Sequence, residues 1–188
     1  MKWTLAAAFL AARGLASPVP APDVDAYRLR VISSEKSLNG QILAVQDGLI
    51  GVFKSVKAPT LVVYASPAAR SDQVILHTYP TSDKVLALVG ENDLLNLSTL
   101  EDPTVKGLRP NSTLDWSFSM DRRAPPAAET GRPDTSNHLM YTKRAGKWVA
   151  MPHGGKGDYV IKFRGTDGDS MIIAVDLPAQ IVYERIEY

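Results

Sequence analysis

The sequence predicts a single all-β domain, a barrel of about twelve short strands. Short runs of β-branched and aromatic residues alternate with turn residues at intervals of roughly 8 to 12 residues, which is typical of barrels and sandwiches. No segment has convincing helical periodicity. The chain has no cysteine, so packing has to stabilise it. A domain of about 150 residues buries roughly 70% of its unfolded surface, which is enough for one core.

Residues 1–16 are typical of a secretory signal peptide. Lys2 precedes an apolar run over residues 3–12, and small residues lie near the expected cleavage point. The run is too short to span a bilayer, which takes about 20 residues. Alternate prolines in residues 17–25 predict a stiff leader, so the folded domain should occupy residues 26–188. We therefore expect a secreted, extracellular protein.

The charge balance argues against nucleic acid and membrane partners. The formal net charge is +1, and loss of Lys2 and Arg13 with the signal peptide brings it near −1. Nucleic-acid binders usually carry a basic face with site-lining aromatic residues, and no such pattern is present. The later apolar runs are too short for transmembrane spans. We expect no nucleic acid and no membrane partner.

The strands follow the leader in order. Residues 26–32 alternate apolar and arginine positions, which predicts a strand with one buried face. Residues 39–53 predict two strands around Asp47-Gly48, because Asp-Gly readily adopts the positive φ angles of a two-residue hairpin turn. Residues 91–103 contain leucines whose spacing fits a helix or a strand about equally. There are thirteen candidate strands in all. About twelve strands in roughly 160 residues favour a barrel of three four-strand units, and closure of the barrel would also protect its sheet from edge pairing. The remaining candidates are residues 60–65, 73–79, 84–90, 93–98, 113–119, 137–142, 147–151, 158–164, 170–176 and 180–188.

A long segment near residues 120–136 lacks the alternation of apolar and polar residues that is typical of a strand, and it has no other pattern of a folded element. Strand-like sequence lies on both sides of it. Loops of more than about 12 to 15 residues inside a compact domain tend to be functional or disordered. We interpret the segment as an insertion within the barrel, either a mobile loop or a binding loop. Its Arg122-Arg123 pair also resembles a dibasic processing site. The charged residues that could meet a partner are Arg122, Arg123, Glu129, Arg132 and Asp134.

The motifs of common enzymes are missing, so we expect a protein without catalytic residues, cofactor or metal. No nucleophile elbow, zinc-binding helix or phosphate-binding loop occurs. The glycine-rich run around His153 predicts a hairpin loop, and His77 alternates with apolar neighbours and predicts a hydrogen-bonded packing residue. Asp167 and Asp169 lack the rest of a calcium loop and favour a hairpin turn.

Two stretches of the chain resemble a known family. Residues 114–121, "LDWSFSMD", and residues 137–165, which begin "NHLMYTKR", resemble the C-terminal half of fungal secreted cell-wall proteins of the phialide and IgE-binding type. The likeness covers about half of the chain, and those relatives carry cysteines that this sequence lacks. In architecture the chain resembles β-trefoil proteins, which include ricin-type lectins, Kunitz inhibitors and the cysteine-free mushroom inhibitors of papain-like proteases. The resemblance implies a β-trefoil-like barrel that displays loops.

The cysteine-free inhibitors imply a function for those loops. By that resemblance the first and third loops, residues 33–40 and 55–59, would contact a papain-like cysteine protease. An exported fungal protein of this kind would be an effector acting on a host protease in the apoplast, or a regulator of the fungus's own enzymes. The candidate partner-binding residues in these loops are Glu35, Lys36, Ser37, Leu38, Asn39, Lys57, Ala58 and Pro59.

Cell-wall or carbohydrate binding is the alternative function. Sugar binding commonly uses exposed aromatic side chains, and the candidates are Trp116, Tyr141 and Trp148. Large aromatic residues in alternating strands more often belong to a core. Secretion also makes two glycosylation sequons relevant, at Asn96 and at Asn111.

Overall fold

The computed structural model describes residues 24–81, 83–91, 93–101, 112–121, 137–166 and 176–186. Within these ranges the chain forms fourteen β-strands and no helix. The strands are β1 (Ala26–Ile32), β2 (Ala44–Gln46), β3 (Leu49–Val52), β4 (Val62–Pro67), β5 (Val74–Thr78), β6 (Val85–Glu91), β7 (Leu94–Leu100), β8 (Thr113–Asp115), β9 (Ser119–Asp121), β10 (Asn137–Met140), β11 (Gly146–Pro152), β12 (Tyr159–Gly165), β13 (Leu177–Pro178) and β14 (Gln180–Arg185). Among these residues there is no helix that could cross a membrane.

The all-β prediction is confirmed, and most strand positions agree with it. β1 coincides with the predicted residues 26–32. The Asp47-Gly48 turn has φ angles of 50° and 79°, as a two-residue hairpin turn requires. The leucine-rich segment that fitted a helix or a strand forms β7, which pairs with β6 on one side and with β12 on the other. The predicted run 113–119 is divided between β8 and β9.

Several predictions fall outside the described residues. They concern the signal peptide at residues 1–16, most of the leader, the body of the insertion at residues 122–136, the proposed turn at Asp167 and most of the strand predicted at residues 170–176.

All strand pairs are antiparallel, and the described strands belong to one hydrogen-bonded sheet that is not closed. Its order is β13-β11-β12-β3-β7-β6-β5-β4-β1-β14-β10-β9, with β2 beside β3 and β8 beside β6. An isolated bridge links the start of β5 to the residue before β9. The Val74 amide donates to the Phe118 carbonyl at 2.8 Å, and the Phe118 amide donates back at 2.9 Å.

Three hairpins, β2–β3, β6–β7 and β11–β12, also pair with one another. β3 pairs with β7 at Leu49 and with β12 at Val52 and Gly51, and β12 pairs with β7 at Lys162. A Cβ atom on Gly51 would collide with the carbonyl of Tyr159, so glycine allows β3 and β12 to approach closely. The second strand of each hairpin therefore contacts the second strands of both others.

The core lies between these strands and is apolar. On β1, Leu29 and Val31 are fully buried and Arg28 is exposed, as the alternation predicts. Among the residues that the structure describes, Phe118 is the largest fully buried side chain. The Phe163 ring meets Tyr141 and Trp148 edge to face, with ring centroids 4.9 and 5.5 Å apart. Such aromatic contacts add specific geometry to the burial of large apolar surface.

Candidate functional site

Two of the predicted loops meet at one surface. The Lys54 ammonium group, just before residues 55–59, donates a hydrogen bond to the backbone carbonyl of Ser37 in the loop 33–40 at 2.8 Å. A third loop, between β11 and β12, contacts the same segment. We call residues 33–40, 53–59 and 152–158 together the three-loop surface.

The loop 33–40 is held by its own short-range hydrogen bonds. The Ser33 amide donates to the side-chain oxygen of Asn39 at 3.2 Å, and the Ser37 amide donates to the Glu35 carboxylate at 3.2 Å. The backbone amide of Ser37, and then its hydroxyl, lowers the pKa of Glu35 below the ordinary carboxyl value. Lys36 and Asn39 are exposed. Four of the five residues predicted in this loop are therefore at least partly accessible.

Leu38 is the exception in this loop. Its side chain is completely buried and belongs to the hydrophobic core cluster. The amide of Leu38 donates to the Glu35 carbonyl at 3.0 Å, and its carbonyl accepts from the Gln41 amide at 3.0 Å. The side chain is therefore not available to a partner, because burial in the core gains more for an apolar residue than exposure in a turn. Leu38 anchors the loop.

The segment 53–59 contains a tight turn that is largely exposed. The Ala58 amide donates to the Val56 carbonyl at 3.0 Å, and the Pro59 carbonyl accepts from Val45 in β2 at 3.1 Å. Lys57 and Pro59 are exposed, and Ala58 is half-buried. Val56 is 43% exposed. The predicted residues of this loop therefore lie at the surface, with Val56 beside them.

Asp158 stabilises this turn through hydrogen bonds from a buried position. It was not predicted as a site residue. It is only 3% exposed, and its Oδ1 accepts hydrogen bonds from the amides of Lys54 at 2.6 Å and Ser55 at 2.9 Å. Its Oδ2 accepts a short hydrogen bond from the Ser55 hydroxyl. These bonds, that from the Ser55 hydroxyl first, lower the pKa of Asp158, since they favour the ionised carboxylate. The one local signal was an aspartate directly after a glycine-rich turn.

The loop between β11 and β12 places Asp158 in this position. The His153 amide donates to the Asp158 carbonyl at 2.9 Å, and the Asp158 amide donates to the Gly155 carbonyl at 3.1 Å. Gly154 and Gly157 have positive φ angles of 61° and 87°. The glycine-rich hairpin loop expected around His153 is therefore confirmed. Its exposed residues 152–156 extend the surface formed by the two predicted loops.

The three-loop surface is rich in positive charge. Its exposed charged side chains are Lys36, Lys54, Lys57 and Lys156. Its acidic residues are the half-buried Glu35 and the buried, hydrogen-bonded Asp158. The local balance is clearly basic, although the whole chain has a formal net charge of only +1.

Of the other predicted site residues, the structure describes only Asn96. Arg122, Arg123, Glu129, Arg132 and Asp134 of the insertion, and the glycosylation site Asn111, fall outside the described residues. Asn96 is half-buried in β7, where it pairs with Val89 of β6 and Lys162 of β12. It is therefore flanked by strands on both sides.

The three histidines lie on separate elements. His77 in β5 forms a 2.8 Å hydrogen bond with the Ser66 hydroxyl and stacks on Tyr64, as expected for a hydrogen-bonded packing residue. Burial lowers the pKa of His77. His138 is buried in β10 and His153 is exposed in the three-loop surface. Within the described ranges, no group of three or more His, Cys, Asp or Glu residues could hold a metal ion.

Two of the three aromatic candidates for sugar binding belong to the core. Tyr141 is 6% exposed and Trp148 is 7% exposed. The Tyr141 hydroxyl donates to Asp115 at 3.0 Å, and the Trp148 indole donates to the Leu139 carbonyl at 2.9 Å. Burial and the Asp115 charge raise the pKa of Tyr141. Trp116 is half-buried.

Comparison of the chain with the profiles of known protein families, with curated proteins and with solved structures finds no match.

Proposed function

We propose that this protein is a secreted inhibitor that inserts the three-loop surface into the active-site cleft of a papain-like cysteine protease. The observation that carries the proposal is the contact between the two loops predicted to bind. The Lys54 ammonium group bonds to the Ser37 carbonyl at 2.8 Å, which joins residues 33–40 and 55–59 although the hairpin β2–β3 separates them in sequence. A cleft-binding protein needs more than one loop in a single accessible surface.

The rigidity of the surface supports the same function. Asp158 accepts three hydrogen bonds from Lys54 and Ser55, and Leu38 fixes the first loop to the core. Loops that are ordered before binding lose less conformational entropy when a partner associates. An inhibitor that has to bind without being cleaved benefits from such loops.

A β-trefoil-like barrel is part of the proposal. Mutual pairing of β3, β7 and β12 supports it, because three hairpins that contact one another are what three four-strand units would supply. The backbone bridge between Val74 and Phe118 supports closure of the remaining strands, since it joins β5 to the residue preceding β9. The loops 33–40 and 55–59 are then the first and third loops of the first unit.

The proposal includes secretion, which is supported by the signal-peptide pattern of residues 1–16. The setting is that of a fungal effector which meets host proteases in the extracellular space. Expression of the full chain in a secreting fungal host should deliver a protein whose N-terminal sequence begins at Ser17. An intact Met1 on protein retained in the cells would contradict secretion.

The inhibitory function is tested with the secreted protein and fluorogenic substrates. Papain-like cysteine proteases should lose activity at or below micromolar concentrations of the protein, whereas trypsin-like serine proteases should stay active. Absence of inhibition across the papain-like enzymes would overturn the proposal. If such inactive protein also sedimented with chitin or glucan, cell-wall binding would replace inhibition as the function.

A further inference from the structure

We infer that Val56 is the residue which anchors the three-loop surface in its partner, and that the partner receives it in a small apolar pocket bordered by carboxylates. The inference rests on the proposed function, because the pocket would belong to the protease cleft. It adds a specificity-determining residue and the chemistry of the site that recognises it.

The exposure of Val56 is the first observation. In the part of the chain that the structure describes, it is the one large hydrophobic residue whose side chain is exposed, at 43%. Single exposed apolar residues are common on protein surfaces, so exposure alone carries no function. Val56 differs because it belongs to a turn that two other loops support, through hydrogen bonds of the preceding residues Lys54 and Ser55 with Ser37 and Asp158.

The second observation is that the backbone on both sides of Val56 is fixed. The preceding residue, Ser55, binds the buried Asp158 through its amide and its hydroxyl. The Val56 carbonyl accepts the hydrogen bond from Ala58. A Cβ atom on Gly155 would collide with the Ser55 side chain, so the β11–β12 loop packs directly against the base of the turn. An apolar side chain held in this way can enter a pocket at little conformational cost.

The third observation is the charge around the turn. Lys54 and Lys57 lie within two residues of Val56, and Lys36 and Lys156 are exposed on the two other loops of the surface. The two carboxylates of the three-loop surface offset these four charges only in part, because Asp158 is buried and Glu35 is half-buried. A partner with carboxylates around its pocket would be attracted to this surface, and one with basic groups there would be repelled.

The apolar contact is tested by inhibition constants against the papain-like enzyme that the wild type inhibits best. Val56→Ala should weaken inhibition by roughly ten- to two-hundredfold, the range expected for missing methyl or methylene groups in an apolar pocket. Val56→Thr keeps the shape of the side chain but replaces one methyl group with a hydroxyl, so it should also weaken inhibition, whereas Val56→Ile should retain it. Thermal unfolding of each variant should match the wild type within about 2 °C, because an exposed substitution changes stability little.

The charge is tested with a matched pair of variants. Lys57→Glu and Lys147→Glu change the net charge equally. Lys147 is the control, because it is exposed near the start of β11, whereas the three-loop surface lies at the other end of that strand. Lys57→Glu should slow association with the enzyme and reduce the salt dependence of the association rate. Lys147→Glu should change both only slightly, since rates respond most to charges near the interface.

The outcomes distinguish failure of the proposed inhibitory function from failure of the inference about Val56. If the wild-type protein inhibits none of the enzymes, the proposed function and this inference are both overturned. If the wild type inhibits but Val56→Ala and Val56→Thr inhibit as well as it does, the pocket is overturned and the proposed function stands. Equal effects of Lys57→Glu and Lys147→Glu on the association rate would overturn the carboxylate border. Binding to immobilised heparin that Val56→Ala leaves unchanged, without inhibition, would indicate a polyanion partner and overturn the inference.

Discussion

Replacing Leu38 with alanine should destabilise the protein strongly, although Leu38 lies in a surface loop. Its side chain is fully buried in the core cluster, so the variant would lose apolar contacts at the point where the loop 33–40 joins the core. A contact residue for a partner would behave differently, because its truncation would weaken binding and leave folding unchanged. The stability of Leu38→Ala therefore separates the two roles.

The magnitude follows from complete burial. Truncation removes the equivalent of about three methylene groups, each worth about 0.8 kcal/mol, or about 2.4 kcal/mol in transfer free energy. The cavity left behind raises the loss in the free energy of unfolding to about 3 to 5 kcal/mol. At about 2 to 4 °C per kcal/mol for a domain of this size, the melting temperature should fall by roughly 6 to 20 °C.

Urea and thermal unfolding of the purified variant provide the measurement. Lys36→Ala is the matched control, since Lys36 is exposed in the same loop and its truncation should change stability by no more than about 0.5 kcal/mol. If Leu38→Ala were as stable as Lys36→Ala, the loop would not be anchored through Leu38. The assignment of Leu38 to the core would then be refuted.

Two further predictions concern Asp158 and Gly51. Asp158→Asn should lower the stability at neutral pH, because the carboxylate accepts three hydrogen bonds from Lys54 and Ser55. Since folding lowers the pKa of Asp158 from 3.8, its contribution is present above that value and is lost as the pH falls through the lowered pKa. Urea midpoints should therefore converge for wild type and Asp158→Asn in acid, and a gap independent of pH would contradict this role. Gly51→Ala should cost about 1 to 3 kcal/mol or more, because its Cβ meets the Tyr159 carbonyl. Gly154→Ala is the control, as its Cβ has open space and only the φ of 61° is strained, and equal urea midpoints would argue against the close β3–β12 approach.

Local patterns were sufficient to predict most of the strands. Alternation in β1 and the Asp47-Gly48 turn depend on neighbouring residues alone, so the sequence displays them directly. The division of residues 113–119 into β8 and β9 has no comparable signal. It reflects pairing with different partners, since β8 lies beside β6 and β9 beside β10.

The candidate site could be predicted only in part. The loops 33–40 and 55–59 came from the resemblance to inhibitors, but their contact through Lys54 depends on the folded chain. Asp158 was missed because its partner Lys54 lies 104 residues away in sequence. Leu38 was assigned to the surface because a turn rich in polar residues gives no sign that one apolar side chain reaches the core.

Pairing of β1 with β14 has a consequence for the order in which the protein can fold. Arg30 on β1 and Glu184 on β14 form an ion pair although 154 residues separate them. During synthesis β1 is therefore complete long before its partner exists, and one of its edges stays unpaired for that time. Sheets built from such distant pairs fold slowly, and a waiting strand edge can pair with other chains. A cell that makes this protein has to keep β1 from aggregating until β14 has been made.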